Sequence, residues 1–230
     1  MMPPSVETAR TEATDLAPSS RVDRARMLVR AAGGRRLSGR ESKAVLALYD
    51  IRTTREILAP SFEDAVEAAR QIGYPVALEA ESSALLHRSE AGAVMLGIAD
   101  DAALKRGFKR ALANAWATVP WDSIDGILVQ EMIAPGTEIV IRMTNEPPRG
   151  VVITCGLGDI VVEAFRGSDL VLPPVTDAEA RTALADVLLR LSELCNDLGD
   201  LVRELVVDPL IVAETGGDVC AVDCWIVPND

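Results

Sequence analysis

Residues 126–165, GILVQEMIAPGTEIVIRMTNEPPRGVVITCGLGDIVVEAF, indicate the fold class most directly. This stretch contains four short runs rich in Val and Ile, and Pro, Gly or Asn separates each run from the next. β-Branched residues bounded by such turn residues are typical of strands. We therefore predict four strands in close succession, beginning near Gly126.

Helical segments alternate with strands before this stretch. Ser38 followed by Glu41 has the pattern of a capping box and predicts a helix over 39–50. Ser61 is expected to cap the next helix, with Asp64 in place of the usual Glu or Gln. The other elements predicted here are a helix over 21–33, strands over 76–80 and 94–99, and a helix over 100–116.

The last part of the chain predicts a long helix over 177–197, capped by Thr176, and two final strands. These strands, 203–212 and 219–227, flank a glycine-containing turn. The fold class is thus mixed α/β (α+β), with a boundary near residue 125.

Three segments follow from this boundary: a disordered polar tail over 1–20, an N-terminal subdomain over 21–125 and a C-terminal subdomain over 126–230. We expect a ligand in the crevice between the two subdomains.

Composition excludes several classes of function. The net charge of −12 argues against a nucleic-acid binder, which needs a basic face. No apolar run approaches the roughly 20 residues of a membrane span, and the N-terminus lacks the apolar middle of a secretory signal. We therefore expect a cytoplasmic protein. The cysteines are few for the chain length, so we expect no metal ligand among Cys155, Cys195, Cys220 and Cys224.

Six segments, in this order, resemble the ATP-grasp subunit of nucleoside-diphosphate-forming acyl-CoA synthetases, which include ADP-forming acetyl-CoA synthetase and succinyl-CoA synthetase. They are LSGRESKAVLALYDI (37–51), IGYPVALEAESSALLHRSEAGAV (72–94), DGILVQEMI (125–133), GTEIVI (136–141), CGLGDIVVE (155–163), and ELVVDPLIV with AVDCWI (204–212 and 221–226). The resemblance implies an ATP-grasp fold, in which two α/β subdomains enclose a nucleotide cleft. It also implies ATP and Mg²⁺ as cofactors, a separate CoA-binding subunit as partner, and hence association with other subunits.

His87 is the only histidine of the chain. In Leu86-His87-Arg88-Ser89 it matches, by resemblance, a histidine that carries phosphate between two sites of the family. A neutral imidazole nitrogen is a good nucleophile near pH 7. The alternative is an exposed loop histidine without a chemical role.

The resemblance assigns further contacts with the nucleotide. Val129, Gln130, Glu131 and Met132 match a hinge whose backbone reads the adenine edge. Glu138 matches an acid that faces the ribose or the phosphates, and its alternative is a solvent-exposed strand residue.

The resemblance also assigns a magnesium site. Asp208 and Asp223 match an asparagine and an aspartate that bind Mg²⁺ in the family. Two carboxylates on adjacent strands suit a hard cation. The alternatives are a turn residue before proline for Asp208 and a strand-end acid for Asp223.

Several positions depart from the family pattern around the phosphates. Glu79 stands where the family has a lysine that contacts the phosphates, and Arg88 or a metal ion would offset part of this change. The alternative is that Glu79 points elsewhere and a different cation takes the place of the lysine. Ala93 replaces the second glycine of a pair after His87. Asp159 adds a carboxylate to a glycine-rich turn, and Val206 replaces an acid. The segment after Glu163 is also shorter than in the family.

Three hypotheses follow. In the first, the chain is the ATP-grasp subunit of an ADP-forming acyl-CoA synthetase, with impaired ATP binding. In the second, it is a catalytically inactive homologue that serves as a scaffold or regulatory subunit. In the third, the cleft binds a different, cationic or metal ligand. Weak Mg·ATP binding that improves in Glu79→Lys is expected for a cleft that has lost its lysine.

Overall fold

A computed structural model describes residues 20–82, 94–146, 150–157, 160–163, 165–166, 169–170, 178–214 and 217–229. The helices are α1 (Arg21–Ala31), α2 (Gly39–Leu48), α3 (Phe62–Ile72), α4 (Asp101–Trp116) and α5 (Ala178–Leu198), with a short 3₁₀ turn at Trp121–Ser123. The strands are β1 (Glu56–Ala59), β2 (Val76–Glu81), β3 (Val94–Ile98), β4 (Gly126–Glu131), β5 (Gly136–Glu146), β6 (Gly150–Leu157), β7 (Ile160–Glu163), β8 (Phe165–Arg166), β9 (Asp169–Leu170), β10 (Val202–Ala213), β11 (Val219–Ala221) and β12 (Cys224–Pro228).

Side-chain caps start the first three helices. At α2 the Ser38 hydroxyl accepts from the Glu41 amide at 3.3 Å, and the Glu41 carboxylate accepts from the Ser38 amide at 2.8 Å. The capping box predicted from this spacing is therefore confirmed. The imperfect box at α3 is also complete, because the Asp64 carboxylate accepts from the Ser61 amide at 3.2 Å. Ser20, predicted as the end of the tail, instead caps α1.

We call residues 56–131 the small lobe. Its antiparallel sheet has the order β1-β4-β2-β3, and α3 and α4 pack on it. Apolar side chains from all of these elements form one core, in which Leu78, Leu104 and Ile127 are fully buried.

We call residues 20–51 and 136–229 the large lobe. Its six-stranded sheet runs β11-β10-β5-β6-β7, and β12 also pairs with β10. The predicted final strand over 219–227 is in fact two strands, because the chain leaves the ladder at residues 222–223. Helices α1, α2 and α5 contribute to the core that covers this sheet. No helix within the described ranges is both long and apolar enough to cross a membrane.

The two cores do not follow the boundary predicted near residue 125. β4, which was assigned to the C-terminal subdomain, pairs with β1 and β2 in the small lobe. Helices α1 and α2, which were assigned to the N-terminal subdomain, pack in the core of the large lobe. The prediction followed chain order, whereas each amphipathic element lies where its apolar face is buried.

Candidate functional site

A cleft of about 740 Å³ is lined by residues of both lobes. The small lobe contributes side chains of β2 and the segment around the end of β4. The large lobe contributes the start of β5, the Asp208-Pro209 step of β10 and residues 222–225. Its volume lies within the range of small-molecule sites.

Alternation along β2 directs Glu79 into this cleft. Val76, Leu78 and Ala80 belong to the small-lobe core, whereas Ala77 and Glu79 line the cleft. Successive side chains of a strand point to opposite faces, so the position of Glu79 follows from the register of β2. Glu79 as a whole residue is only 9 % exposed. A carboxylate thus stands at the cleft where the resemblance implies a lysine.

Three of the four residues predicted as the hinge lie at the cleft. Gln130, Glu131 and Met132 line the cleft, as does the adjoining Ile133. Val129 does not, because its side chain lies in the small-lobe core and its backbone belongs to the ladders with β1 and β2. The backbone of β4 leaves its strand ladders only after Glu131.

The Glu131 carboxylate is held by cations of the connection before β1. Arg55 Nε donates to it at 2.7 Å and the Arg55 amide donates at 3.1 Å. Arg52 lies 3.9 Å away. These contacts offset the charge of Glu131, so it adds less negative potential to the cleft than its position suggests.

Three further carboxylates lie on the large-lobe side of the cleft: Glu138, Asp208 and Asp223. The Asp208 amide donates to the Asp223 carbonyl at 2.9 Å, which brings the two residues side by side. Asp208 lies at a break in the β10 register with β5, and Asp223 lies in the connection between β11 and β12 rather than within a strand. The Asp223 carboxylate accepts from the Cys224 amide at 2.8 Å.

Arg36 is a cleft residue that the sequence analysis missed. Its guanidinium lies 4.6 Å from the centre of the Trp225 ring, and both side chains line the cleft. It is the only Lys or Arg among the described residues that line this cleft. The available signal was a pair of arginines, Arg35-Arg36, directly before the capping Ser38.

Some predicted positions lie outside the described residues: His87, Arg88, Ala93 and Asp159. Val206 is described and fully buried, so an apolar contact fills the place where the resemblance implies an acid.

The cysteines are all buried, and burial raises the pKa of the Cys155 thiol to about 11 and that of Cys195 to about 12. Thiols of this kind remain protonated at neutral pH, and a protonated thiol is a poor metal ligand. Within the described ranges no three His, Cys, Asp or Glu side chains converge on a metal position. Asp208 and Asp223 nevertheless fit Mg²⁺, which typically takes one or two protein carboxylates and completes its shell with phosphate and water oxygens.

The sequence was compared with known proteins. The profile of the ATP-grasp domain matches residues 28–185. The β subunit of ADP-forming acetate–CoA ligase II from Pyrococcus furiosus is 32 % identical over 210 residues, which cover 81 % of this chain and 89 % of that protein.

Solved structures of a dinucleotide-forming acetyl-coenzyme A synthetase 1 from Candidatus Korarchaeum cryptofilum are also similar. A complex with coenzyme A, Ca-AMPCP and HgCl⁺ has a TM-score of 0.76 and 27 % identity, and the match covers 89 % of this chain and all of that one (100 %). Another contains coenzyme A, acetyl-coenzyme A and a phosphorylated phosphohistidine segment, with a TM-score of 0.70, 26 % identity and the same coverage, 89 % and 100 %.

The fold, the two-lobed cleft and these matches agree with one another. The chain therefore belongs to the ATP-grasp family and is a close homologue of the β subunits of ADP-forming acetyl-CoA synthetases.

Proposed function

We propose that the chain is the nucleotide-binding subunit of an ADP-forming acyl-CoA synthetase and acts with a separate CoA-binding subunit. One observation carries the proposal. The predicted hinge residues Gln130, Glu131 and Met132, with the adjoining Ile133, line a single cleft together with three large-lobe carboxylates, those of Glu138, Asp208 and Asp223. An adenine edge and a metal-bound polyphosphate need these two kinds of surface at the two ends of one site.

Each side of the cleft has a distinct role in this proposal. The backbone at the end of β4 reads the adenine edge, and Trp225 and Ile133 supply apolar walls. Asp208 and Asp223 would hold Mg²⁺, which when bound shields phosphate charge and orients the phosphates. Glu138 lies one strand away and faces the ribose or the phosphates.

The partner and the phosphate carrier extend the proposal. The similar Pyrococcus furiosus protein is named as a subunit, and a similar solved structure contains a phosphohistidine segment. In this chain His87 would accept the phosphoryl group. A P–N bond forms at an imidazole nitrogen as the bond from the γ-phosphorus to the ADP oxygen breaks.

Glu79 implies that nucleotide binding is weakened. Two unit charges about 4 Å apart interact by about 4 kcal/mol at an effective dielectric near 20. A carboxylate in place of a lysine turns an attraction of that order into a repulsion. The same observation supports a second candidate function, a catalytically inactive ATP-grasp homologue that serves as a scaffold or regulatory subunit.

Isothermal titration calorimetry with Mg·ATP tests the proposal. We expect a wild-type Kd of about 0.1–1 mM. Glu79→Lys should tighten binding at least about tenfold, because it restores a cation beside the phosphates. Glu67→Lys is the matched control, since it makes the same charge change on an exposed face of α3 in the same lobe. Its Kd should stay within about twofold of wild type.

The outcomes separate the candidates. Wild-type binding at low micromolar Kd, unaffected by Glu79→Lys, would show that Glu79 does not impair the site. If neither protein binds Mg·ATP at several millimolar, the nucleotide-binding function is wrong. Association with the CoA-binding subunit in that case would establish the scaffold function.

A further inference from the structure

A buried polar bridge joins the two sides of the cleft. Gln130 Nε2 donates to the Thr54 hydroxyl at 2.6 Å and to the Val222 carbonyl at 2.9 Å. Gln130 is 6 % exposed and Thr54 is 3 % exposed. One side chain of the small lobe therefore satisfies a backbone carbonyl of the large lobe, away from bulk water.

An ion pair fixes the other end of this bridge. Lys43 Nζ, from α2 of the large lobe, donates to the Thr54 hydroxyl at 2.9 Å and to the Glu56 carboxylate at 2.5 Å. Glu56 begins β1 of the small lobe, and both charged side chains are at most 10 % exposed. The Thr54 hydroxyl accepts from Lys43 and from Gln130. The same hydroxyl donates to the Val222 carbonyl at 3.5 Å. Because each of these buried polar groups has a hydrogen-bond partner, the network holds its side chains in one arrangement.

The bridge ends next to both parts of the proposed site. Gln130 directly precedes Glu131 in the hinge, and Val222 directly precedes Asp223. The Val222 amide donates to the Pro209 carbonyl at 2.9 Å, and the Asp208 amide donates to the Asp223 carbonyl at 2.9 Å. These hydrogen bonds, together with the peptide links between neighbouring residues, therefore connect Gln130 with both aspartates.

We infer that Gln130 is a positioning residue, whose side-chain amide sets the distance between the adenine-reading hinge and the Asp208–Asp223 pair. This inference rests on the proposed function of the cleft. Gln130 acts through its neighbours, since its amide is engaged by Thr54 and Val222. Losing the amide leaves the buried Val222 carbonyl with only the 3.5 Å contact from the Thr54 hydroxyl and removes one of the two donors to that hydroxyl. Residues 222–223 are then freer to shift.

Gln130→Met removes both donors and keeps the length of the side chain. We expect the Kd for Mg·ADP to rise about tenfold, which is 1.4 kcal/mol, whereas the Kd for ADP in EDTA should change by less than about twofold. The hinge still reads the base, but the aspartates no longer meet the metal-bound phosphates correctly. The Kd values for Mg·ADP and for ADP in EDTA are both measured in protein that also carries Glu79→Lys. Gln71→Met, on the exposed face of α3, is the matched control.

Hydrogen–deuterium exchange tests the bridge without nucleotide. Gln130→Met should speed exchange of the peptide covering 219–226, and Gln71→Met should leave it unchanged. If Gln130→Met does not fold, Gln130→Glu takes its place, because it keeps the shape of the side chain and lacks the two N–H donors at neutral pH. It should also speed exchange of the peptide covering 219–226. A purely structural role would raise both Kd values equally, and this result would overturn the inference, as would unchanged exchange over 219–226. If no variant binds any nucleotide, the proposed function fails, but faster exchange would still support the bridge.

Discussion

Arg36 and Glu79 are residues of opposite charge that line the cleft. The described residues that line it include five carboxylates, Glu79, Glu131, Glu138, Asp208 and Asp223, and one guanidinium, that of Arg36. Arg55 offsets Glu131, and a metal ion would offset the aspartates. We therefore propose that Arg36 compensates in part for the lysine that the resemblance implies at position 79.

Arg36→Ala tests this role. We expect its affinity for Mg·ATP to fall by at least about tenfold, because a charge-assisted contact with phosphate is worth roughly 1.5–3 kcal/mol. Arg24→Ala removes an exposed arginine of α1 and should leave the Kd unchanged. Calorimetry measures the Kd for Mg·ATP of both alanine variants, each in protein that also carries Glu79→Lys. Equal Kd values for the two alanine variants would show that Arg36 does not contact the nucleotide.

At the scale of elements, the start of α2 positions Arg36. The Ser38–Glu41 capping box fixes the first turn, and Arg35 donates to the Glu41 carboxylate at 2.6 and 2.8 Å. Arg36 lies between Arg35 and the capped turn, so these contacts restrict its backbone. The hydrogen bonds from Arg35, together with those from Ser38, lower the pKa of Glu41 to about 2.

Glu41→Gln should therefore have a pH-dependent effect on stability. A carboxyl group with a lower pKa in the folded state contributes stability above its unfolded pKa, near 4.3, and loses it as the pH falls through its folded value. Because the pair is partly exposed, we expect a loss of at most about 1 kcal/mol at pH 7. The difference in the free energy of unfolding between Glu41→Gln and wild type should narrow as the pH falls from 5 to about 2.

Urea denaturation at pH 7, 4 and 3 measures this difference, because most of the narrowing falls below pH 4. Glu67→Gln, on the exposed face of α3, is the control for removing a carboxylate from a helix surface. A difference between Glu41→Gln and wild type that stays constant over this pH range would contradict the ion pair with Arg35.

At the scale of the whole molecule, two lobes with separate cores meet at the cleft and at the buried bridge. The proposed chemistry requires a phosphoryl group to leave this cleft for a second subunit. The phosphate carrier proposed for that transfer is His87, which lies outside the described residues.

Incubation with γ-labelled ATP and the CoA-binding subunit tests the carrier. We expect label on the chain that is stable in alkali and labile in acid, as is typical of phosphohistidine, and no label in His87→Ala. Ser89→Ala, two residues away, should retain the label. Label that persists in His87→Ala would remove this residue from the proposed reaction.

Local patterns were enough to predict most elements of this protein. Capping boxes, β-branched runs and turn residues depend on neighbouring positions only, so α2, α3 and the strands around residues 126–163 were predicted from sequence. The resemblance also indicated the family, the cleft and the side on which Glu79 lies. These features need only the identity and the order of the residues.

The tertiary structure alone decided which elements share a core and which charges face one another. The pairing of β4 with β1 and β2, the burial of Val129 and the position of Arg36 over Trp225 depend on contacts between distant segments. The bridge from Lys43 through Thr54 and Gln130 to Val222 joins residues of the first quarter of the chain with two segments that follow much later in the sequence. Such contacts form because buried polar groups need partners, and only the folded chain determines which partners are near.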